Sequence, residues 1–295
     1  MKTKAFIYII VAGILWGTSG IFVHYLAPFG FTSLQMTAVR GLVAFICLSL
    51  FALIRDRSLF KIKKPIELLV FAGLGVSLFL TASCYYTSMQ MTSVSTAVVL
   101  MYMSPVYVMI FSVLFMGEKF SKLKLVSVVS MIVGCCLVSG IIGGIKFDLV
   151  GILIGFASGL AYAAYNILVK VAVQRGNRPV SVTIYNFLFM TVVAMAVSKP
   201  WQIVTTAATA PLKTIPLLIG LGIATSVLPY LLLTLSMRDL PAGTASALSI
   251  VEPMAATVFS VVLFDEKLGI VSAVGIVLIL AAVFMLGKAE GNEES

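Results

Sequence analysis

The sequence predicts an all-α polytopic membrane protein with ten transmembrane helices, built as two inverted five-helix repeats with both termini in the cytoplasm. Three observations predict this fold: an apolar composition, an internal repeat and an uneven distribution of lysine and arginine. Hydrophobic residues make up 61% of the 295-residue chain and charged residues 11%, whereas soluble domains average roughly 45–50% and 25%. Lipid is therefore the expected surrounding of most of the chain.

Ten apolar segments are long enough to cross a bilayer core of about 30 Å, which takes roughly 20 helical residues. They are Ala5–Leu26, Phe31–Ile54, Ile66–Met89, Ser95–Phe115, Leu123–Gly140, Leu149–Val173, Val180–Val197, Thr214–Met237, Thr244–Phe264 and Leu268–Leu286. The first is longer than a signal-peptide core of about 7–15 residues, so it is predicted to be an uncleaved span. Most loops are short. The longest are Arg55–Pro65 and Ser198–Lys213, and in the second Trp201 is expected to anchor at the membrane interface.

The second half of the chain repeats the first. Pro241–Gly287 aligns without a gap on Ser93–Ser139 at an offset of 148, and nine of the 24 residues from Thr96 to Lys119 recur. Each copy has an apolar helix with an internal proline, an acidic-lysine turn and a second apolar helix. We therefore predict one repeat over residues 1–142, a second over 147–288, and a disordered polar tail over 289–295.

The basic residues orient these spans. Fifteen of the 20 lysines and arginines fall on the side of the N-terminus, four on the other side, and Arg40 lies within a span. Basic loops stay in the cytoplasm, so both termini are predicted to be cytoplasmic. Five spans per repeat is an odd number, so the second repeat must enter the membrane inverted. Inverted repeats are common in secondary transporters.

The residues resemble the drug/metabolite transporter superfamily, in particular its branch with two EamA domains. Each half has a proline-containing helix, a glutamate thirteen residues later and a final helix; Glu252 precedes Pro253, and Trp16 precedes a glycine. The resemblance implies a central cavity lined mainly by the first, third, fourth, sixth, eighth and ninth helices, alternating access, and export of small metabolites such as amino acids. Two departures are Asp265, where a small residue is usual, and Tyr162, which replaces tryptophan in the second copy.

We therefore expect a plasma-membrane transporter that exports amino acids or related compounds. An organic-cation transporter that uses Glu252 and an aromatic cage is the alternative, and a passive channel or a membrane-embedded enzyme is disfavoured. The chain carries no nucleotide-binding motor, so transport is expected to be driven by a gradient. The expected partners are a small-molecule substrate and membrane lipid, and coupling to a proton or a counter-substrate stays open.

The composition excludes other partners. A net charge of +9 would suggest nucleic acid for a soluble protein, but no basic patch alternates with exposed aromatic residues, so no nucleic-acid partner is expected. All four cysteines lie in apolar runs, without a CxxC pair. They are Cys47, Cys84, Cys135 and Cys136. No cofactor and no metal site are expected.

Polar and aromatic residues within the spans are the candidate substrate-binding residues. They are Glu252, Trp16, Tyr162, Asn166, Tyr85, Thr81, Tyr102, Tyr230, Ser249 and Arg40. Glu252 is the only acid well inside a span, where a charge costs about 2.5–3.5 kcal/mol. Either it faces a cavity, where it titrates or binds a cationic group, or it is a neutral residue that holds helices together. Ser249 is three residues earlier and shares its face.

The other candidates follow helical spacing. Trp16 and Tyr162 are repeat mates, and their rings are suited to stacking on a substrate; Asn166 lies one turn after Tyr162. Thr81 and Tyr85 belong to a polar stripe on the third helix, Tyr230 to one on the eighth, and Tyr102 lies on the fourth. Such stripes face protein or water. Arg40 either receives a substrate carboxylate or extends to the outer surface.

Overall fold

The computed structural model describes residues 2–62, 64–117, 121–139, 148–264 and 269–292, and this part of the chain is helical without a strand. The helices are α1 (Lys2–Gly17), α2 (Ser19–Leu26), α3 (Ser33–Arg55), α4 (Pro65–Met91), α5 (Val94–Met101), α6 (Ser104–Phe115), α7 (Lys122–Val138), α8 (Leu149–Gln174), α9 (Pro179–Val197), α10 (Pro200–Ala208), α11 (Pro211–Gly222), α12 (Leu228–Ser236), α13 (Ala242–Leu248), α14 (Val251–Phe264) and α15 (Ile270–Asn292). A π-helical turn, Ile223–Val227, joins α11 to α12.

Nine segments of the described chain are long and apolar enough to cross a membrane. They correspond to nine of the ten predicted spans. The fifth predicted span is α7, which has 17 residues and is therefore about 25 Å long. The tenth crossing and the cytoplasmic position of both termini stay predictions.

Four predicted spans are divided into shorter helices. α5 and α6 are separated at Tyr102 and Met103, and α13 and α14 are separated one position earlier in their repeat, at Ser249 and Ile250. Pro105 and Pro253 explain both breaks, because a proline cannot donate to the carbonyl four residues earlier. The first span divides at Thr18, and the eighth contains the π-helical turn before Pro229.

Two further differences lie outside the spans. The predicted loop Ser198–Lys213 contains the short helix α10, in which the Trp201 side chain is 65% exposed, consistent with an interfacial position. α15 continues to Asn292, so residues 289–292 are helical where a disordered tail was expected. The acidic-lysine turns at Glu118 and Glu266, and the departure at Asp265, lie outside the described residues.

Helices of one repeat pack extensively on helices of the other repeat. α3 packs on its repeat mate α9, and α7 packs on its mate α15. α4 and α6 pack on α8, and their repeat equivalents α12 and α14 pack on α1. A two-fold relation between the repeats produces such reciprocal contacts. They place residues of both halves around the centre of the bundle.

Gly75 sets the approach of α4 to α9. A Cβ atom at this position would lie 2.5 Å from the Met190 amide nitrogen and 2.8 Å from the Asn186 carbonyl oxygen. Since both are backbone atoms, Gly75→Ala should force the helices apart and lower the free energy of unfolding by about 1–3 kcal/mol. Thermal unfolding in detergent measures this. The control is Gly20→Ala, where a Cβ atom meets nothing within 4 Å; equal losses in both variants would contradict the packing argument.

An ion pair joins the loops of the two halves. Asp56 Oδ1 accepts from the Ser58 amide at 2.9 Å, and Asp56 Oδ2 accepts from Arg178 Nη1 at 2.6 Å. These hydrogen bonds, those from Ser58 first, hold the pKa of Asp56 well below its usual range. A lowered pKa in the folded state means that the stabilisation is complete above the unfolded-chain value of about 3.9 and is lost as the pH falls toward the folded value.

Asp56→Asn should therefore lower the melting temperature slightly at pH 7, because the pair is exposed and screened by solvent. The difference from the parent should shrink as the pH falls below about 4. Melting curves of both proteins between pH 3 and pH 7 provide the measurement. A difference that grows on acidification would contradict the assignment.

Candidate functional site

The two proline breaks bring together residues of both repeats at the centre of the bundle. Tyr102 lies in the break between α5 and α6, and Glu252 lies in the first turn of α14, directly after the equivalent break. The Tyr102 hydroxyl donates to Glu252 Oε2 at 2.6 Å. This distance is at the short end of the range for a hydrogen bond between two oxygens, so Glu252 is held from the opposite repeat.

Arg40 extends from α3 into the same region. Its Nη2 donates to the Tyr230 hydroxyl on α12 at 3.5 Å. The side chain therefore reaches the centre of the bundle and does not extend to the outer surface. In the described part of the chain, no ion pair joins Arg40 to Glu252.

Aromatic rings pack around Tyr230, and we call this cluster the aromatic wall. Tyr230 is at the centre of this wall, with the ring centroids of Trp16 at 5.1 Å, Phe187 at 5.3 Å and Tyr165 at 5.7 Å, all edge-on. Tyr162 stacks on Tyr165 at 6.3 Å. Edge-to-face pairs of this kind stabilise one another beyond their burial, so the wall holds Tyr230 rigidly beneath Arg40.

The aromatic wall is buried, whereas Arg40, Tyr85 and Glu252 are partly exposed. Trp16, Tyr102, Tyr162 and Tyr230 are only 2–5% exposed. Arg40, Tyr85 and Glu252 each keep an intermediate exposure. Tyr85 makes a ring contact with Tyr86 at 5.3 Å. Arg40, Tyr85 and Glu252 therefore keep more accessible surface than the aromatic wall.

Several buried polar atoms near the site have no hydrogen-bond partner within the described part of the protein. They are Trp16 Nε1, Arg40 Nε, Asn166 Oδ1, both amide atoms of Asn186, and the hydroxyls of Ser104, Ser226 and Ser246. Buried polar groups are nearly always hydrogen-bonded in proteins. Such a concentration of free hydrogen-bonding capacity is typical of a site that receives water or a polar ligand.

Three sequence-predicted residues use their polar groups on the protein itself. The Thr81 hydroxyl donates to the Ser77 carbonyl at 2.8 Å, and the Thr81 carbonyl accepts from Ser158 on α8 at 3.1 Å. Thr81 therefore belongs to the interface of α4 with α8. Ser249 donates to the Ser246 carbonyl at 2.6 Å, and the Asn166 amide donates to the Tyr162 carbonyl at 2.9 Å.

Three residues of the site were not predicted from the sequence: Tyr86, Tyr165 and Phe187. Tyr165 was detectable in principle, because it follows Tyr162 by three residues and so lies on the same helix face. Tyr86 carries no such signal, since it directly follows Tyr85 and consecutive helical residues point in different directions. Phe187 is one of 19 phenylalanines, and only the packing of α9 on α12 distinguishes it.

A cleft of about 180 Å³ opens between the first two helices and α14. Its lining residues are Gly17, Gly20, Ile21, His24, Ala256, Phe259, Ser260 and Phe264. The repeat-related position lies between α6 and α8, and it is filled: Val108, Ser112, Ala163 and Asn166 there are at most 3% exposed. The contact between the two repeats is thus open beside α14 and closed at the equivalent position beside α6.

Lys170 closes the filled side. This residue is the repeat mate of the exposed His24, yet it is only 8% exposed. Its Nζ donates to the Met237 carbonyl at 2.9 Å and to the Leu240 carbonyl at 2.6 Å. The ammonium group therefore ties the end of α8 to the connection between α12 and α13, and it satisfies carbonyls at a helix C-terminus, where a positive charge is favoured.

Known proteins resemble this chain over its whole length. The model of the EamA-like transporter family matches residues 3–140 and 149–288. A protein of Archaeoglobus fulgidus named "uncharacterized transporter" is 30% identical over 94% of each chain. The transporter YwfM of Bacillus subtilis, also named uncharacterized, is 22% identical over 98% of this chain and 95% of its own. A solved structure titled "Crystal structure of protein" aligns with a TM-score of 0.79 at 19% identity over 100% of both chains, which shows a shared fold.

Proposed function

We propose that this chain, which belongs to the EamA-like transporter family, exports amino acids or related compounds by alternating access, driven by a gradient. It is a multi-pass membrane transporter of the plasma membrane. The proposal adds the substrate class, the direction and the mechanism. It also includes ten spans, inversion of the second repeat, two cytoplasmic termini and coupling to a proton or a counter-substrate.

The observation that carries the proposal is the pair of charged side chains at the centre of the bundle. Arg40 comes from the first repeat and Glu252 from the second, and both keep accessible surface. Charges are costly at the middle of a membrane, so such residues mark substrate or ion pathways. Secondary transporters with inverted repeats carry their substrate sites at this depth, at the interface of the repeats.

The unequal clefts support alternating access. Two equivalent halves that differ in opening allow the same central site to be exposed first on one side and then on the other. The cleft beside His24 and the closed position beside Lys170 are related by the repeat. Movement that exchanges the two arrangements would carry a bound molecule across.

An organic cation is the second candidate cargo. Glu252 and the rings of Trp16, Tyr85 and Tyr230 favour it, because aromatic faces and a carboxylate attract ammonium groups. A protein that uses the site in this way moves choline-like compounds without a need for a carboxylate on the substrate.

Exchange in proteoliposomes tests the function. Vesicles that contain the purified protein are loaded with one unlabelled compound, and uptake of its radiolabelled form is followed. Apolar amino acids, a polar amino acid and choline form the panel, and protein-free vesicles are the control. Saturable exchange of an amino acid is expected. Exchange of choline alone would favour the second candidate, and non-saturable flux of every compound would indicate a channel.

A further inference from the structure

The two central charges are opposite in sign and, in the described part of the chain, are not joined to each other in an ion pair. Each contacts a tyrosine of the opposite repeat: Glu252 contacts Tyr102 at 2.6 Å and Arg40 contacts Tyr230 at 3.5 Å. A ligand that itself carries two opposite charges can pair with both groups without breaking an ion pair of the protein.

Both groups have unused hydrogen-bonding capacity. A carboxylate offers about four acceptor positions and a guanidinium five N–H donors. The hydrogen bonds to the two tyrosines occupy Glu252 Oε2 and Arg40 Nη2, the second at the outer limit of a hydrogen bond. Arg40 Nε is buried without a partner. The guanidinium edge is therefore available for a bidentate bond to a carboxylate.

The pairing of charges determines which ligands fit. A simple cation that binds Glu252 brings its charge close to Arg40, and a simple anion that binds Arg40 brings its charge close to Glu252. Either ligand leaves one protein charge unpaired in a low-dielectric region, where this is costly. A ligand that carries both charges a few bonds apart pairs both protein groups at once.

We propose that Arg40 is the specificity-determining residue of the site and that it restricts transport to zwitterions. The substrate carboxylate binds Arg40, the substrate ammonium binds Glu252, and an apolar side chain lies against Tyr85 and Tyr86. The assignment rests on the proposed function, and it disfavours the organic cation, for which Arg40 is repulsive.

Binding of three matched probes tests the assignment without any variant. Phenylalanine carries both charges, phenethylamine lacks the carboxylate, and 3-phenylpropionate lacks the ammonium; all three carry the same ring. Titration calorimetry on the purified full chain should give phenylalanine an affinity about 10- to 100-fold above that of either relative, the range expected for loss of one charged hydrogen-bonded pair. Equal or tighter binding of phenethylamine, or no binding of any probe, would overturn the proposal.

Two variants then assign each charge to its residue. Arg40→Gln should weaken phenylalanine binding to the level of phenethylamine and leave phenethylamine unchanged or tighter. Glu252→Gln should weaken phenylalanine and phenethylamine and leave 3-phenylpropionate unchanged or tighter. The melting temperature of each variant shows whether it folds. A uniform loss of all three probes in a folded variant would argue for a structural role and against the assignment.

The two experiments distinguish failure of the proposed zwitterion site from failure of the proposed transport function. If phenylalanine binds selectively but proteoliposomes show no exchange, the zwitterion site stands and the transport function is wrong. If amino acids exchange but phenethylamine competes as well as phenylalanine, the transport function stands and the role of Arg40 is wrong.

Discussion

Replacing Glu252 with glutamine abolishes exchange of the transported amino acid, with an expected loss of at least about 100-fold, because a buried charged partner of the substrate is removed. The amide has nearly the same shape and still accepts a hydrogen bond from Tyr102, which donates to the native carboxylate at 2.6 Å. Folding should be retained, since the variant removes a charge from the middle of the membrane. Initial rates of exchange in proteoliposomes measure the effect.

The control for this variant is Asp56→Asn, which makes the same chemical change in an exposed loop. It should exchange substrate at the parental rate. Tyr102→Phe removes one hydrogen bond to Glu252 and keeps the charge, so its loss should be smaller, about tenfold. Full exchange by the Glu252 variant would show that the acid only holds helices together.

Replacing Lys170 with methionine opens the closed side of the bundle. Methionine keeps an unbranched apolar side chain but cannot donate to the carbonyls of Met237 and Leu240, to which Lys170 is bonded at 2.9 and 2.6 Å. Charged hydrogen bonds contribute roughly 1.5–3 kcal/mol each. Loss of one such bond alone shifts an equilibrium by about 10- to 100-fold. We therefore expect the equilibrium between the two arrangements to shift by at least this much toward the one in which α8 separates from the connection between α12 and α13.

A cysteine at Ser112 reports this shift. Ser112 is fully buried in the closed position between α6 and α8, so the cysteine should react slowly with a maleimide, and Lys170→Met should raise its rate about 10- to 100-fold. Lys288→Met is the control, because Lys288 is exposed and its ammonium group lies over the Phe284 ring. Unchanged labelling in the folded Lys170 variant would mean that this residue does not hold the side closed.

The sequence predicts the architecture well because the repeat and the apolar segments are local signals. Pro105 and Pro253 have a fixed effect on a helix, so the position of Tyr102 and Glu252 beside breaks follows from the chain alone. The division of the first span at Thr18 has no comparable signal, and the π-helical turn before Pro229 depends on the packing of α11 and of the turn itself on α3.

The site could be predicted less completely because helical spacing fixes a face but not the neighbour of that face. Thr81 and Tyr85 are four residues apart and share a stripe, yet α8 covers Thr81 while Tyr85 stays accessible. The direction of the Arg40 side chain could not be predicted either, because its long stem can reach the membrane surface or the centre of the bundle. In the structure it contacts Tyr230 and so lies at the centre. Phe187 and Tyr165 enter the site only through packing around Tyr230.

The central claim is that two equivalent halves open one site alternately to the two sides of the membrane. The accessibility of two repeat-related positions, measured side by side, tests it most directly. Single cysteines are placed at Ser260, in the open cleft, and at Ser112, in its closed counterpart, in a chain whose four native cysteines are replaced. A transported amino acid should lower the maleimide reactivity of one position and raise that of the other, and Lys170→Met should slow labelling at Ser260 as it speeds labelling at Ser112. Reactivities that rise or fall together, or that ignore a substrate the protein exchanges, would contradict the account.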